Sequence, residues 1–467
     1  MSLVAVVLAA GAGTRMKSAK PKVIHEVLGV PMVRLVAESL QQAGADQVIA
    51  IVSYEEEQVK AVLPAGVTPV HQDSPIGTAN AVLTAEPAVT ATQGSLVVIA
   101  GDTPLITPET VRSLVEHRES HGAEMAVLTA VVEDPTGYGR IIRDVTGQVV
   151  AIVEHRDATE EQLAIHEVNT GIYCFKIDGL WAHLEHIGND NVQGEFYLTD
   201  IVSIILAEDG RVVAIPVSDA SEVMGVNNRL QLAEAGRVLQ SRINSRLMID
   251  GVTMVAPDLT WVSPHATIAA DVTIFPNTSI MGASTVATGA VLGPDTRLID
   301  AAIGERAVVD SSIVRESTVG EGADIGPRAY IRPGCTIGAD AKVGTSVEVK
   351  KSTVGANTKI PHLSYIGDAE IGEDSNLGAG TITCNYDGFR KSKTVIGDCT
   401  LIGSNTMLVA PVEVGRGAAT GAGSVIAEDV PADALAVERS EQRIIEGWAA
   451  TKRAKYGNGK CSENSEA

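Results

Sequence analysis

Residues 319–349 read VGEGADIGPRAYIRPGCTIGADAKVGTSVEV, and an aliphatic residue stands at every sixth position of this stretch. The same spacing recurs in several runs between residues 262 and 426, with one polar member at Thr420. The aliphatic members are Val262, Ile268, Ile274, Ile280, Val286, Leu292, Leu298, Ile313, Val319, Ile325, Ile331, Ile337, Val343, Val349, Ile396, Ile402, Leu408, Val414 and Ile426. A helix repeats about every 3.6 residues and a strand about every 2, so neither explains this period. The period predicts a left-handed parallel β-helix of hexapeptide repeats, in which each side of a triangular coil uses about six residues and directs one aliphatic side chain inward.

This six-residue repeat is interrupted. It slips between Val349 and Ile360, and a longer excursion runs from Thr383 to Thr394. Elsewhere glycine often follows the aliphatic residue, as at Gly326, which suits a tight corner. A regular solenoid offers few places for specific chemistry, so we expect functional side chains at the two interruptions.

Residues 1–229 show a different pattern, in which short apolar runs alternate with helix-like stretches. The predicted strands are Leu3–Ala9, Gln47–Val52, Ser95–Ala100 and Met125–Val131, and the predicted helices are Met32–Ala43 and Thr107–His121. This alternation predicts an α/β fold with a mostly parallel, Rossmann-like sheet.

A long helix is predicted next, over residues 229–250, with Asn227 or Asn228 capping its start and Gly251 ending it. Its length of roughly 33 Å would make it a stiff arm. We therefore predict three parts: residues 1–229 form the α/β domain, 230–250 a helical linker, and 251–467 the β-helix domain. A short helix at 440–453 and a disordered tail from Gly457 to Ala467 complete the last part.

Composition narrows the function classes. A net charge of −22 argues against a nucleic-acid or anionic-membrane partner. No apolar run reaches the ~18 residues of a membrane span, and Met1 leads directly into a predicted strand without a signal peptide. The cysteines show no CxxC spacing and indicate reduced thiols, so we expect a cytoplasmic protein that acts on small molecules. They are Cys174, Cys335, Cys384, Cys399 and Cys461.

A glycine loop follows the first predicted strand. It reads AAGAGTRM over residues 9–16, and Pro21-Lys22 stands shortly after it. Such glycines let backbone N–H groups approach phosphate oxygens, although an ordinary strand-to-helix turn would look the same. The loop matches neither GxxxxGK[ST] nor GxGxxG. The cations of Arg15 and Lys22 beside it favour a nucleoside triphosphate as ligand.

The string from Leu8 to Lys22 resembles the signature of sugar-1-phosphate nucleotidyltransferases. The resemblance implies that Arg15 and Lys22 stabilise charge while a sugar phosphate attacks UTP. It also implies Mg²⁺ held by Asp102 and Asn227, whose oxygen atoms suit this hard cation. The residues implied in binding UTP and the sugar nucleotide are Leu8, Ala9, Ala10, Gly11, Lys22, Gln72, Gly77, Thr78, Gly101, Asp102, Gly139, Glu154, Asn169 and Asn227. Asp102 could instead be a turn residue, and Asn227 could be only a helix cap.

A second set of polar residues accompanies the interruptions of the repeat. His362 stands just after the first, and residues 378–388 read GAGTITCNYDG at the second. Hexapeptide β-helices resemble one another in transferring acetyl groups from acetyl-CoA, with a histidine as general base. With the loop of the N-terminal part, residues 3–453 resemble the family of bifunctional N-acetylglucosamine-1-phosphate uridyltransferases and glucosamine-1-phosphate N-acetyltransferases of bacterial cell-wall precursor synthesis.

This resemblance implies that His362 accepts a proton from the amine of glucosamine 1-phosphate as it attacks acetyl-CoA, with Glu348 orienting the histidine. The implied sugar-phosphate site consists of Arg332, Lys350, Tyr365, Asn376 and Lys391. The implied acetyl-CoA groove consists of Ala379, Asn385, Tyr386, Ser404, Ala422 and Arg439. The product, N-acetylglucosamine 1-phosphate, would then react with UTP in the N-terminal part to give UDP-N-acetylglucosamine and pyrophosphate.

Two other interpretations compete with this one. The β-helix could be an oligomerisation module on a single-activity nucleotidyltransferase, or both sites could be inactive in a regulatory subunit. The residues around His362 favour two activities, because a purely structural prism does not need them. Since the implied cationic and CoA-binding positions lie far apart along one chain, we expect a homotrimer with acetylation sites between subunits.

Some positions depart from the family pattern or invite another chemistry. Family members often carry lysine where this chain has Ala12, so one phosphate contact is in doubt. Pro361 and Phe389 are local variants that bear on loop conformation. Cys384 and Cys399 have no activating histidine adjacent in sequence, so we do not expect a covalent acyl-enzyme.

Overall fold

The computed structural model describes residues 2–74, 76–191 and 194–456. It divides into two compact units, the first ending at Asp300 and the second beginning at Ala301. The predicted tail Gly457–Ala467 lies outside the described residues. Among the residues described, no helix has the length and hydrophobicity needed to cross a bilayer.

The first unit begins with an α/β domain built on a mixed sheet. Its strands are β1 (Leu3–Leu8), β2 (Glu26–Val27), β3 (Val30–Pro31), β4 (Gln47–Val52), β5 (Val67–His71), β6 (Ser95–Ala100), β7 (Met125–Val131), β8 (Arg140–Arg143), β9 (Val149–Val153), β10 (Glu167–Lys176) and β11 (Val212–Pro216). Its helices are α1 (Met32–Gln42), α2 (Glu56–Lys60), α3 (Thr78–Leu83), α4 (Pro108–Ser120), α5 (Glu160–Leu163), α6 (Leu180–Glu185), α7 (Ile201–Ala207) and α8 (Arg229–Ile249). Short 3₁₀ turns lie at Thr14–Met16, Lys22–Ile24, Glu86–Ala88, Leu198–Asp200, Ala220–Val223 and Pro257–Leu259.

The predicted elements of the α/β domain are confirmed, with ends that differ by at most one residue. The second helix, for example, begins at Pro108 because the Thr107 hydroxyl caps it by accepting a hydrogen bond from the Thr110 N–H. Side chains of β1 alternate between two cores: Val4 and Val6 pack on one face of the sheet, and Ala5 and Val7 on the other. Helices cover both faces, which explains why the strands are continuous apolar runs.

The sheet order is β11-β7-β10-β6-β1-β4-β5, with the β8-β9 hairpin paired to β10. Strand β1 lies between β4 and β6 and is parallel to both. Strand β10 is antiparallel to both β6 and β7, and its register with β7 shifts between Asn169 and Ile172. The carboxyl ends of β1 and β6 therefore share one edge of the sheet with the amino end of β10, where a ligand crevice is expected.

Helix α8 confirms the long helix predicted at residues 229–250. Asn228 is its N-cap and accepts a hydrogen bond from the Gln231 N–H at 2.9 Å, which leaves the side chain of Asn227 to other partners. The buried amides of Gln240 and Asn244 donate to the backbone carbonyl of Thr260 at 2.7 and 2.9 Å. These bonds fasten the helix to the first β-helical coil within the same unit.

The repeat region forms a parallel β-helix, as predicted. Strands of the first unit are Thr253–Met254, Thr260–Val262, Thr267–Ile268, Thr273–Ile274, Thr278–Met281, Thr285–Val286, Val291–Leu292 and Arg297–Ile299. Strands of the second unit are Ala302–Ile303, Val308–Val309, Ile313–Arg315, Thr318–Val319, Asp324–Ile325, Tyr330–Ile331, Thr336–Ile337, Lys342–Thr345, Glu348–Lys350, Thr353–Val354, Lys359–His362, Tyr365–Gly367, Ala369–Ile371, Asn376–Leu377, Ile382–Cys384, Thr394–Ile396, Leu401–Ile402, Met407–Val409, Val412–Val414, Ala419–Thr420, Val425–Ile426 and Leu435–Ala436. Every third strand pairs in parallel, as Asp324–Ile325 does with Lys342–Thr345, so the strands stack into three sheets in agreement with the predicted left-handed class.

The structure corrects one member of the repeat. Ile313 is 37% exposed, and its neighbour Val314 is fully buried in the interior instead. The sides from Val309 to Val314 and from Val314 to Val319 use five residues each in place of six. The sequence does not predict this shortening of the repeat. The predicted slip after Val349 is confirmed as one such short side, because Val354 is the next buried aliphatic residue.

The excursion after Thr383 and the C-terminal helix also have defined places. Strands Ile382–Cys384 and Thr394–Ile396 flank the excursion, which confirms its position. The C-terminal helix, α9, spans Trp448–Tyr456, so the prediction of 440–453 placed its start too early. All residues from Glu438 to Tyr456 are exposed, and no core decides the position of this helix.

Candidate functional site

The structure contains two clusters of predicted site residues, one in each unit. In the first, four side chains meet beside the loop after β1. The Lys22 ammonium forms an ion pair with the Asp102 carboxylate and donates to Oδ1 of Asn227 at 3.0 Å. The Arg15 guanidinium donates to the same Oδ1 at 2.8 Å. The structure thus brings together the two predicted cations and the two predicted metal ligands.

The backbone explains why these residues meet. Gly101 donates its N–H to the Leu8 carbonyl at 2.9 Å, which places Asp102 just beyond the shared edge of β1 and β6. The Val226 N–H donates to the Asp102 carbonyl at 2.9 Å, which brings the adjacent Asn227 to the same point. The sequence does not reveal the backbone hydrogen bond that brings Asn227 to Asp102, because the two residues are more than a hundred positions apart.

Asp102 and Asn227 fit the predicted metal site by their chemistry. One carboxylate oxygen and one amide oxygen converge on a single cation, the Lys22 ammonium. Oxygen ligands of this kind suit Mg²⁺, and substrate phosphates commonly complete its coordination. Among the described residues no group of three or more His, Cys, Asp or Glu side chains could hold a metal, so any ion here depends on such external ligands.

Gly13 sets the distance between the loop and Lys22. Its φ is +68°, and a Cβ at this position would lie 2.3 Å from the Lys22 Cβ. Replacing Gly13 by alanine is expected to displace Lys22 and lower nucleotidyl transfer at least tenfold, with acetyl transfer unchanged. Because alanine is unfavourable in this left-handed backbone conformation, the substitution should also lower the free energy of unfolding by about 1–2 kcal/mol. Assays of pyrophosphate and thiol release, together with urea unfolding, measure these effects.

Gly122→Ala is the matched control for that variant. Gly122 has a similar φ of +58°, but a Cβ there would meet nothing within 4 Å. It should reproduce the loss of stability without the loss of nucleotidyl transfer. Equal activities of the two variants would contradict the role assigned to the contact between Gly13 and Lys22.

Three of the residues implied in binding UTP, namely Gln72, Gly77 and Thr78, are held by hydrogen bonds and close packing within the domain. Gln72 is buried, and its Nε2 donates to Oδ1 of Asn80 at 2.8 Å. The Thr78 hydroxyl accepts a hydrogen bond from the Leu198 N–H at 3.0 Å. Gly77 packs against the Phe196 backbone, where a Cβ would approach the carbonyl oxygen to 2.4 Å. Asn80 is a positioning partner that sequence reasoning missed.

The residues predicted to bind the sugar also meet. A Cβ on Gly139 would lie 3.4 Å from the Asn169 Cβ and 3.5 Å from Oε1 of Glu154, so these three residues are neighbours. Asn169 donates to the Tyr173 hydroxyl at 2.7 Å, which fixes its amide. Burial, with the charges of Asp157 and Asp200, raises the pKa of Glu154. A carboxyl in such a place gains from a hydrogen-bonding partner such as a sugar hydroxyl.

The second cluster lies on the β-helix and centres on Asp368. Its carboxylate accepts the Lys350 ammonium at 2.8 Å and a hydrogen bond from the Asn385 amide. The hydroxyl of Tyr365 and the amide of Asn385 both lie over Gly367, where a Cβ would be 2.6 and 2.7 Å from them. The predicted sugar-phosphate and CoA residues Lys350, Tyr365 and Asn385 are thus in one place. Asp368 itself was missed, although the short side from Ile366 to Ile371 marks its corner.

His362 and Glu348 do not meet as expected. The Glu348 carboxylate accepts a hydrogen bond from Arg332 at 2.8 Å and has no contact with His362. The two residues lie in strands of different sheets, Glu348–Lys350 and Lys359–His362. Within one described chain, Glu348 is therefore not placed to orient the histidine, and its role at a site between subunits stays a prediction. His362 is exposed, and no described side chain hydrogen-bonds its ring.

Three of the predicted acetyl-CoA residues, Ala379, Ser404 and Ala422, lie on stacked corners that continue from the coil of His362. The Gly380 N–H donates to the His362 carbonyl at 3.3 Å, which places Ala379 on the next coil. Added Cβ atoms on Gly378 and Gly403 would lie 2.5 Å from the backbone nitrogens of Ser404 and Ala422, so these two residues continue the same edge. Tyr386 lies on the excursion, where its backbone pairs with Lys391. Arg439 is exposed beyond the last coil.

The remaining members fall on two different corners of the prism. Asn376 begins the strand that follows Lys359–His362 in the same sheet, where its register partner is Lys359, at the end of that strand away from the histidine. Lys350 ends a strand of another sheet, Arg332 directly follows the strand Tyr330–Ile331 of that same sheet, and Lys391 lies beside Lys350. Within one chain, the histidine corner and the cationic corner are therefore separate.

The cysteines remain free thiols where the structure describes them. Burial raises the pKa of the Cys384 thiol, so its thiolate is disfavoured at neutral pH. Cys384 therefore has the opposite of the environment that activates a nucleophile, as the sequence predicted.

The fold and the two clusters define a nucleotidyltransferase domain joined to a hexapeptide β-helix, and comparisons with known proteins agree. Residues 5–167 match the family model of the MobA-like NTP transferase domain. Residues 314–430 match the model of the GMPPB C-terminal domain. The former covers the loop after β1 and Asp102, and the latter covers His362 and the excursion.

Relatives match over nearly the whole chain. The bifunctional protein GlmU of Heliobacterium modesticaldum is 48% identical over 448 residues, which are 96% of this chain and 98% of the relative. The GlmU proteins of Halalkalibacterium halodurans and of an Exiguobacterium species are each 46% identical, over 96% and 97% of this chain and 98% and 100% of the relatives. The chain belongs to the family of bifunctional GlmU proteins. Members of this family are uridyltransferases and acetyltransferases, and the chain is an enzyme of this bifunctional kind.

Proposed function

We propose that the N-terminal site transfers UMP from UTP to N-acetylglucosamine 1-phosphate, and that the β-helix acetylates glucosamine 1-phosphate with acetyl-CoA. The observation that carries this proposal is the presence of two separate polar clusters, Lys22–Asp102–Asn227 and Lys350–Asp368–Asn385, each at a predicted site. A single-activity enzyme with a structural β-helix is not favoured, because the relatives match over both parts. We assign residues 1–229 to the first activity, 230–250 to the linker and 251–467 to the second.

In the first reaction, a phosphate oxygen of the sugar phosphate attacks the α-phosphorus of UTP and the bond to pyrophosphate breaks. Negative charge accumulates on the phosphate oxygens. The Arg15 and Lys22 cations lie beside the loop and can stabilise this charge. Asp102 and Asn227 would hold Mg²⁺, which neutralises phosphate charge when it is bound. The neighbours Gly139, Glu154 and Asn169 would hold the sugar.

In the second reaction, the sugar amine attacks the thioester carbonyl, the C–S bond breaks, and CoA leaves as the thiol. The amine must lose a proton, and His362 is the proposed acceptor because imidazole titrates near neutral pH. The exposed position of His362 leaves its ring open to a bound amine. Direct transfer within a site that holds both substrates needs no acyl-enzyme. Acetylation comes first in this proposal, because the proposed acceptor of UMP, N-acetylglucosamine 1-phosphate, is the product of the acetylation.

The decisive experiment is a paired assay of thiol release and pyrophosphate release with each sugar phosphate offered separately. Glucosamine 1-phosphate should support thiol release from acetyl-CoA, and N-acetylglucosamine 1-phosphate should support pyrophosphate release from UTP. Pyrophosphate release without any thiol release would favour the single-activity alternative. We also propose that the enzyme acts in the cytoplasm, which the free thiols of its described cysteines support.

We further propose a homotrimer with the acetyltransferase sites between subunits. The support is the separation of the two corners described above, because neither the corner of His362 nor the corner of Lys350 and Arg332 carries a complete site in one chain. Light scattering is expected to give three times the 48.6 kDa mass of the chain. A monomer with full thiol-release activity would contradict the proposal.

A further inference from the structure

Asp368 occupies a corner that the backbone holds rigidly. It lies between strands Tyr365–Gly367 and Ala369–Ile371 with a φ of +51°. Its N–H donates to the Lys350 carbonyl at 2.9 Å, and its carbonyl accepts from the Thr394 N–H at 3.2 Å. The coil before and the coil after therefore both fix this residue. The carboxylate consequently has a defined position before any substrate binds.

The Asp368 carboxylate joins two predicted binding groups through a single oxygen. Oδ2 accepts the Lys350 ammonium at 2.8 Å and also the Asn385 amide. Lys350 and Asn385 are both more than nine-tenths buried, so neither side chain is held mainly by water. Lys350 belongs to the implied sugar-phosphate site, and Asn385 belongs to the implied acetyl-CoA groove. Asp368 is thus the shared contact of the two sets.

Electrostatics favour the same arrangement. Burial raises the pKa of Asp368, but hydrogen bonds from Lys350 and Asn385 outweigh it, and the net pKa is lowered. The hydrogen bond to Asp368 raises the pKa of Lys350, although burial opposes this change. Lys391, which faces Lys350 and lies near Lys351, has a lowered pKa because of contact with Lys350. Asp368 is the carboxylate that offsets the repulsion among these lysines, with the Tyr365 side chain alongside.

Another pair in the β-helix shows what a purely structural ion pair looks like. Asp324 binds Lys342 at 2.6 Å, again between neighbouring coils. Both side chains are about half exposed, and no third group among the described residues shares the carboxylate. Such surface pairs contribute little. Asp368 differs from Asp324 in three respects. Its side chain is less exposed, its carboxylate has a second partner, and both partners are predicted binding residues.

We propose that Asp368 is a positioning residue of the acetyltransferase site, which holds Lys350 and Asn385 at a fixed separation so that sugar phosphate and acetyl-CoA bind in register. The proposal rests on the acetyl transfer proposed above. Asp368 does not touch the reacting atoms; it acts through Lys350 on the phosphate and through Asn385 on the cofactor.

The test compares Asp368→Asn with Asp324→Asn in the full-length enzyme. Asp368→Asn keeps the size of the side chain and removes its charge. Its KM for glucosamine 1-phosphate and its KM for acetyl-CoA should each rise about tenfold, with a smaller change in kcat. Asp324→Asn should change neither, and pyrophosphate release from UTP should stay normal in both variants. Unchanged KM values in a folded Asp368→Asn variant would overturn the proposal.

Two further measurements separate positioning from stability. Without Asp368 the pKa of Lys350 falls, so the KM for glucosamine 1-phosphate should begin to rise with pH earlier in the alkaline range than in the wild type or in Asp324→Asn. Asp368→Asn should also add little to the KM for acetyl-CoA in an Asn385→Ala background, because both changes remove the same contact. Parallel pH profiles, or fully additive effects, would contradict the proposal. Absence of thiol release in the wild type would instead refute the acetyl transfer on which it rests.

Discussion

His362→Ala is expected to abolish the release of CoA from acetyl-CoA and glucosamine 1-phosphate, while pyrophosphate release from UTP stays near the wild-type rate. The physical reason is that the amine must shed a proton as it attacks, and His362 is the only histidine in the sequence after His265. Loss of a general base commonly costs on the order of 10²–10⁴ in rate. Thiol release monitored at saturating substrate, with pyrophosphate release measured on the same preparation, checks both parts.

Lys359→Ala is the matched control for this variant. Lys359 is exposed on the strand that also carries His362, but it lies at the opposite end. Its replacement should leave both activities intact. If a folded His362→Ala enzyme loses both activities, the division into two independent sites fails. If it keeps thiol release, the role of His362 as base is wrong.

Asp102→Asn is expected to have the opposite effect, a loss of pyrophosphate release on the order of 10²–10³ with thiol release retained. The change removes the only carboxylate of the proposed metal site and the ionic partner of Lys22. It keeps the size of the side chain, so packing at the edge of β6 is preserved. Because the variant binds Mg²⁺ more weakly, a higher Mg²⁺ concentration should restore part of the activity.

Asp178→Asn is the control for Asp102→Asn. Asp178 is exposed in the same domain and pairs only loosely with Lys176, at 4.0 Å. Both activities should survive its replacement. An Asp102→Asn enzyme with a normal rate of pyrophosphate release at low Mg²⁺ would remove Asp102 from the metal site. A parallel loss of thiol release would instead indicate a general folding defect.

Much of the fold follows from local pattern. The strands Gln47–Val52, Ser95–Ala100 and Met125–Val131 agree with the prediction to the residue, because each is a buried apolar run bounded by turn residues. The six-residue repeat predicts the β-helix because its interior accepts one aliphatic side chain per side. The same rule fails at Ile313, where both Ile313 and Val314 are aliphatic and only the stacking of coils decides which one is buried.

The candidate sites were predictable in part. Arg15, Lys22, Asp102 and Asn227 come from distant segments, yet each stood out through its family motif, and the structure brings them into contact. Within one chain Glu348 pairs with Arg332 and not with His362, a contact that the sequence did not reveal because it does not state in which sheet of the prism a side chain lies. No motif marked Asp368, since its role depends on Lys350 from the preceding coil and Asn385 from the following one.

By itself the sequence determined the repeat, the α/β alternation, the linking helix and the glycine loop, because these depend on spacing within a few consecutive residues. It also determined that two distinct sets of polar residues accompany them. Only the tertiary structure decided that Lys22 lies between Asp102 and Asn227, that His362 and Lys350 occupy different corners, and that Asp368 joins Lys350 to Asn385. Each of these depends on the stacking of coils or the order of strands, where residues far apart in the chain become neighbours. Ion pairs and hydrogen bonds require such proximity, and a one-dimensional pattern does not contain it.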